Sequence, residues 1–397
     1  MRATTLGMPD THTAPALDRL TTMLLLAFVA AVQISIAASQ ILLTALLLCW
    51  VIGLVRDRIR PSAPTFFAAL LAYAGITLIS TVFSVAPFES FVDDRQLLLF
   101  LIVPAVYDLA RGQRATLVTD VIITVGAAAA VYGIVQYGML HFDSLGQRPR
   151  GTLGHYMTYS GTLMLVIGAA ASRLVFGAKD RMWPALVMPA LVVALSLTLT
   201  RSAWVGACAA VGVLFILKDF RLLGLLPVVA ALFFAFAPDS VANRMVSMFD
   251  LRDPSNRDRL AMARTGSAMV SDYPLTGVGP AMVPRLYSQY RDPDAVQATN
   301  PHLHNVPLQI AAERGVPALA IWIGFVALLL YGLFHVFRTE REHTLAAAGM
   351  AAVVGMLSAG LFEYNFGDSE FLMLFLILVT LPFAAARRDD AAALRRA

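Results

Sequence analysis

Pro184-Ala-Leu-Val-Met-Pro-Ala-Leu-Val-Val-Ala-Leu-Ser-Leu-Thr-Leu-Thr-Arg-Ser-Ala-Trp-Val-Gly-Ala-Cys-Ala-Ala-Val-Gly-Val-Leu-Phe-Ile-Leu217 carries a single charge, Arg201, between Arg181 and Lys218. A helix needs about 20 apolar residues to cross a bilayer. The stretch therefore reads as two spans, 184–200 and 202–217, with Arg201 at the turn between them. A lone Arg there is either a snorkelling anchor in an interfacial belt with Trp204 or a functional cation.

The same pattern extends outward along the chain. Of its 397 residues, 58% are hydrophobic and 14% charged, with a mean hydropathy of +0.70. Soluble domains run near 25% charged, so this chain has too little charge to cover a soluble surface. A soluble enzyme and a disordered chain are both excluded. Twelve apolar runs appear, at roughly 20–36, 39–55, 64–83, 97–110, 116–138, 155–173, 184–200, 202–217, 221–237, 315–337, 344–362 and 369–386. The first is read as a transmembrane helix, since no small-residue cleavage site follows it. The expected fold is an all-α polytopic membrane protein, one integral domain over 1–397, with a single large, partly helical loop at 238–314. Cys49 and Cys208 both sit in apolar runs and offer no disulfide framework or metal cluster.

The net charge of +4 divides by side. With the N-terminus inside, eighteen of the thirty basic residues fall in inner segments, among them Arg2, Arg56, Arg58, Arg60, Arg114, Lys179, Lys218, Arg341, Arg388, Arg395 and Arg396. Both termini are thus expected in the cytoplasm and the long loop outside. The basic balance is an orientation signal, so nucleic acid is not expected as a partner. The twelve outer basic residues are all Arg, the side chain suited to planar, bidentate phosphate contacts.

Three outer features stand out. Arg201 is the first. The second is the stretch Asn256 to Ser271, which reads as a helix capped by Ser255 or Asn256 with Asp258 in its first turn. Its helical periodicity puts Arg259 in the middle of an apolar face with Met262, Ala263, Gly266, Met269 and Val270, and Arg257 and Arg264 opposite. An Arg so placed needs an anion; a lipid phosphate or an Asp partner would each serve. The third is Asn300-Pro-His-Leu-His-Asn-Val-Pro-Leu-Gln309, where His302 and His304 precede a helix that Asn305 can cap. A neutral His near a helix start can act as a general base. Two His two residues apart are poorly spaced for co-ligation on a helix, and no Cys or His elsewhere outside completes a zinc site, so no metal is expected. Arg148 and Arg150 flank Pro149 and could reach a headgroup. Glu363, Asp368 and Glu370 flank the last outer turn and read as structural.

Thr200-Arg-Ser-Ala-Trp204, Arg259-Leu-Ala-Met262, Asp272-Tyr-Pro-Leu-Thr-Gly-Val-Gly279 and His304-Asn-Val-Pro-Leu-Gln-Ile-Ala-Ala-Glu-Arg-Gly315 together resemble the O-antigen ligase and polymerase superfamily. Within it, the chain is similar to bacterial lipopolysaccharide O-antigen ligases in length, span count and loop placement. The resemblance implies a GT-C-like fold in the bacterial inner membrane with a periplasmic active site. It implies glycan transfer from undecaprenyl pyrophosphate to a lipid A-core sugar, with inversion and without metal, nucleotide or other cofactor. By motif position, His304 corresponds to the base and Arg201 and Arg259 to the essential arginines; Arg264, Arg148, Arg150, His302 and Asn305 are weaker substrate-binding candidates. Ala318 departs from a small or aromatic pattern in the family, which leaves ligase and polymerase both open. A protein O-oligosaccharyltransferase and, from another class, a transporter or flippase are the alternatives. A transporter should carry ionisable residues at midplane, where this chain has chiefly Gln33 and Gln136.

Overall fold

The computed structural model describes residues 15–177, 181–340 and 343–387, and among these the regular elements are all helical. The orientation residues Arg2, Lys179, Arg341, Arg388, Arg395 and Arg396 lie outside the described residues. The helices are α1 (Pro15–Ala31), α2 (Ile36–Asp57), α3 (Phe67–Val82), α4 (Pro87–Asp93), α5 (Ile102–Leu109), α6 (Gln113–Met139), α7 (Tyr156–Phe176) and α8 (Met182–Leu197). They continue as α9 (Arg201–Lys218), α10 (Leu225–Phe236), α11 (Asp239–Val246), α12 (Pro254–Asp272), α13 (Val283–Tyr290), α14 (Val306–Thr339), α15 (Thr344–Gly360) and α16 (Ser369–Ala386).

Six of them (α2, α6, α7, α9, α14 and α16) are long and apolar enough to cross a membrane, and α3, α8 and α15 are shorter apolar helices. The chain is a multi-pass membrane protein. Each of the twelve apolar runs coincides with helical structure, with local differences. The run at 97–110 is a 3-10 turn at Asp94–Leu101 followed by α5, and the run at 221–237 is a 3-10 turn at Phe220–Gly224 followed by the twelve-residue α10.

The centre of the bundle is α7, α9, α15 and α16. Small residues let these helices touch. A Cβ on Gly206 of α9 would overlap Met164 and the Gly355 carbonyl of α15, and one on Gly168 would meet Ala351. In lipid, where apolar side chains gain nothing by leaving the solvent, such close backbone packing supplies the association energy. Gln33 and Gln136 are both used structurally. Gln33 donates to the Ile122 carbonyl (3.2 Å), and Gln136 accepts from the backbone N–H of Arg150 and Gly151 (both 2.9 Å).

The bundle has two unlike ends. At one, Asp108 receives Arg387 (2.6 Å), Arg111 and Ser62, and Arg114 pairs with Asp18. At the other, a second, smaller core covers the helices: Met262, Met269, Val278, Met282, Val283, Leu286, Tyr287, Leu303 and Ala312, from α12, α13, the start of α14 and the segments between them.

This outer layer is locked to the bundle at a break in α14. Gly315 has φ +82°, outside the helical range, and interrupts the helix after a buried Glu313–Arg314 ion pair (2.7 Å). The turn Pro274-Leu-Thr-Gly-Val-Gly279 binds across this break. Val278 and Gly279 donate to the carbonyls of Ala312 and Glu313 (2.9 Å each), Val316 donates to Pro274 (2.8 Å), and Ser80 of α3 donates to Thr276 and Glu313. Gly277 has φ +68°, and a Cβ there would overlap the Glu313 carbonyl. Only glycine fits both demands.

Candidate functional site

Arg201 is placed by a backbone device. Leu199 adopts the left-handed region (φ +54°), which stops α8 and starts α9 in a new direction. Arg201 becomes the first residue of α9, buried to 5% exposure. A cation at a helix N-terminus opposes the dipole. Thr200 adds no side-chain cap, so the first N–H groups of α9 have no side-chain acceptor from their cap residue. These N–H groups and the guanidinium both attract an anion. Trp204, expected as an interfacial anchor, donates to the Leu195 carbonyl and pins α9 to α8 (3.1 Å).

Arg201 donates to Ser247 (carbonyl oxygen 2.9 Å, Oγ 3.1 Å) and pairs with Asp253 (3.2 Å). Arg244 of α11 takes the other Asp253 oxygen (3.4 Å). The same Asp253 caps α12, accepting from the N–H of Ser255 and Asn256. The cap is therefore Asp253, with Pro254 as the first helical residue, and not Ser255 or Asn256. Asp258 is not a dipole partner in the first turn. Its carboxylate accepts from the N–H of Val296 and Gln297 and holds the 296–300 segment in place.

The buried face of α12 is Asp258, Ala261, Met262, Thr265, Gly266 and Met269. It is rotated from the expected one. Ala263 is exposed, and Arg259 stands at the edge. Gly266, common to both faces, abuts Leu303 and Leu308 so closely that a Cβ would overlap them, while Asp258, Ala261 and Thr265 take the buried positions that periodicity gave to Ala263 and Val270. Arg259 is thus turned towards the helix-capping turn of α15. Its Nε donates to the Phe362 carbonyl (3.1 Å) and one terminal nitrogen to Ser255 (3.3 Å). Among the described residues no carboxylate lies within the 4 Å ion-pair limit of Arg259, nor of Arg148. Arg148 lies over the Tyr156 ring (4.2 Å).

These four arginines line one cleft of about 380 Å³ with Tyr156, Asp253, Asp258, Asn300 and His304. That volume suits a small ligand or the head of a larger one. Crowding and burial oppose the charges. Burial first, then Arg201, pushes Arg244 down to about 10, and burial, with Arg201 adding to it, also lowers Arg148 and Arg259. The Arg244 Nε is buried without a partner among the described residues. An anion would relieve both costs.

His304 closes the cleft. It adopts φ +49°, a left-handed conformation of a non-glycine residue, immediately before the α14 cap Asn305. Such strain, about 1–3 kcal/mol, is held where the surroundings demand it. Here it brings Nδ1 to 2.8 Å from Glu363, leaving Nε2 as the free ring nitrogen. Glu363 also meets His302 Nε2 (3.5 Å) and accepts from the Tyr364 N–H. Although burial opposes it, His304, then His302 and Arg259, hold the Glu363 carboxyl at about 2. Burial lowers His302 to about 4, so it is neutral.

The remaining sequence-predicted residues are distributed otherwise. Asn305 caps α14 by accepting from Leu308 (2.8 Å) and donates to Leu361. His302 packs edge-on against His304 with ring centres 4.2 Å apart. Arg264 pairs with Asp294 (3.0 Å) and Asp292 (3.6 Å) on the exposed side of α12, and Arg150 lies over Phe142; neither lines the cleft. Arg244, Asp253, Tyr156 and Glu363 join the site without having been singled out for it.

A family model described as O-antigen ligase matches residues 184–323. That segment is similar to the O-antigen ligase family. The matched segment holds Arg201, Arg244, Asp253, Arg259 and His304, while Arg148 and Glu363 join it from outside. It also includes the Gly277 turn and the Gly315 break that hold the outer layer together. Activity of the O-antigen ligase and polymerase type is thereby supported. No curated protein matches the chain.

Proposed function

We propose that the chain is an O-antigen ligase, moving glycan from undecaprenyl pyrophosphate to a lipid A-core sugar hydroxyl on the periplasmic face of the bacterial inner membrane. The observation that carries this reading is the pairing of His304 with Glu363 at the edge of a cleft lined by four arginines. His304 Nε2 removes the proton of the acceptor hydroxyl as that oxygen attacks the anomeric carbon. The bond from that carbon to the pyrophosphate oxygen breaks, and the leaving charge passes to Arg148, Arg201, Arg244 and Arg259. One displacement inverts the centre. Glu363 fixes the tautomer with Nε2 free and stabilises the imidazolium, the same division of labour as in a carboxylate–histidine pair of a hydrolase. Fixed cations aimed at developing charge need no reorganisation during the reaction.

The apolar surroundings support a lipid-linked donor. A groove of about 190 Å³ lined by Val306, Pro307, Trp322, Met356, Gly360 and Leu361 lies between α14 and α15, two residues from both His304 and Glu363. It offers the polyprenyl chain a lateral place beside the base. Phe249 and Leu251, near the Arg244–Asp253 pair in sequence, are more than 80% exposed, as suits a segment resting on lipid.

The test supplies the purified protein in proteoliposomes with lipid-linked glycan and both acceptors, lipid A-core and a second lipid-linked glycan. The expected product is glycan on lipid A-core. Elongated lipid-linked glycan instead would mark a polymerase, and movement of donor across the bilayer without transfer would mark a flippase.

A further inference from the structure

Sequence spacing brings only His302 and His304 together; the fold adds a third metal-ligating side chain. His302, His304 and Glu363 each offer one ligand atom, and these atoms lie within 4.8 Å of one another. His302 Nε2 is 3.5 Å from Glu363 Oε1, and His304 Nδ1 is 2.8 Å from Oε2. Around an ion with bonds of about 2.0–2.1 Å, tetrahedral ligands stand about 3.3 Å apart. The first separation already matches. The second must open by about half an ångström, and because the two contacts use different oxygens of Glu363, the carboxylate must turn to present one of them to the ion.

We propose that His302, His304 and Glu363 form a binding site for a divalent transition ion such as Zn²⁺, and that the bound ion blocks glycan transfer. Two imidazoles and one carboxylate favour Zn²⁺, Cu²⁺ or Ni²⁺ over Mg²⁺ and Ca²⁺, which select oxygen ligands. Three protein ligands leave a fourth position for water. The nearby Arg259 opposes a further cation, so affinity is weaker than that of a closed structural zinc site.

The block follows from the tautomer, and this part rests on His304 being the base. In the free protein Nδ1 carries the ring proton towards Glu363, and Nε2 keeps its lone pair for the acceptor hydroxyl. Metal binding takes the Nδ1 lone pair: the proton leaves Nδ1 and Nε2 takes one up through solvent, a tautomer shift that releases no net proton. A neutral imidazole ligated through Nδ1 carries its proton on Nε2. Nε2 then donates and accepts nothing, and Glu363 is spent on the ion.

The experiment uses the full chain, stripped of metal, in detergent or nanodiscs, with Co²⁺ as the spectroscopic probe. One equivalent of Co²⁺ should give visible d–d absorption that Zn²⁺ displaces and Mg²⁺ does not. His302→Gln and Glu363→Gln, each checked by thermal melt, should weaken it by at least about tenfold, the scale of losing a group from a metal site. In the transfer assay Zn²⁺ should inhibit and EDTA should reverse the inhibition. His302→Gln should raise the half-inhibitory Zn²⁺ concentration by about tenfold or more, each protein referred to its own metal-free rate. Absent absorption, or absorption unchanged in both variants, would overturn the metal site and leave the base assignment standing. Site-specific Co²⁺ binding with transfer undiminished at saturating Zn²⁺ would overturn the block and, with it, the role of His304.

Discussion

Replacing Glu363 by Gln removes a charge while keeping the shape of the side chain. The carboxyl stands at about 2 against an ordinary 4.5, despite burial that pushes the other way. At 1.36 kcal/mol per unit, the site prefers the carboxylate by roughly 3 kcal/mol. His304 is the largest of the groups that favour the carboxylate, ahead of His302 and Arg259, so the Glu363 carboxylate stabilises positive charge on that ring as it accepts a proton. If most of this stabilisation is expressed in the transition state, Glu363→Gln slows transfer by about 10²-fold. Donor KM should change little, because Glu363 does not line the cleft. Stability follows the usual sign for a depressed carboxyl: the contribution is present above about 4.5 and is lost as pH falls through about 2. The assay is initial-rate transfer of purified wild type and variant across pH, with thermal melts at each pH. An unchanged rate in a folded variant would refute the coupling of Glu363 to His304.

Four further outcomes are expected. Arg201→Lys and Arg259→Lys should each lose about 10²–10³ in rate, since a point charge does not reproduce a planar donor; wild-type rates in either would remove that guanidinium from the leaving-group site. Arg244→Gln should raise the melting temperature without ligand by relieving the crowding, yet shrink the stabilisation that an undecaprenyl pyrophosphate analogue gives by mass action; an unaltered ligand-induced shift would place the anion elsewhere. Gly277→Ala should cost at least about 1–3 kcal/mol through backbone strain alone, read as a lower melting temperature together with lost transfer. Chelation with EDTA should leave wild-type transfer intact, and a requirement for added Mg²⁺ would contradict the use of arginines alone.

The local signals in the sequence carried far. Each apolar run coincides with helical structure, and six helices are long and apolar enough to cross a membrane, where the backbone has no better solution than helix in lipid. Asn305 announced the start of α14, and Arg201 was conspicuous as a lone charge between two apolar runs. What was not legible depended on contacts between distant segments. Glu363 is 59 residues from His304, and nothing in its own neighbourhood distinguished it from Asp368 or Glu370. Arg244 resembled the seven other arginines of its loop until Asp253 joined it to Arg201. Helical periodicity already set Arg264 on the side of α12 opposite Arg259, and there it pairs with Asp292 and Asp294. The buried face of α12 was nevertheless misjudged: periodicity finds a stripe, and the neighbour it packs against sets the angle.

The most direct measurement is single-turnover transfer by purified His304→Ala, with undecaprenyl-pyrophosphate-linked glycan and lipid A-core in EDTA, beside wild type. The account predicts that wild type glycosylates the acceptor, while the variant still binds donor and transfers at least about 10²-fold more slowly. Transfer by folded His304→Ala at the wild-type rate would contradict it.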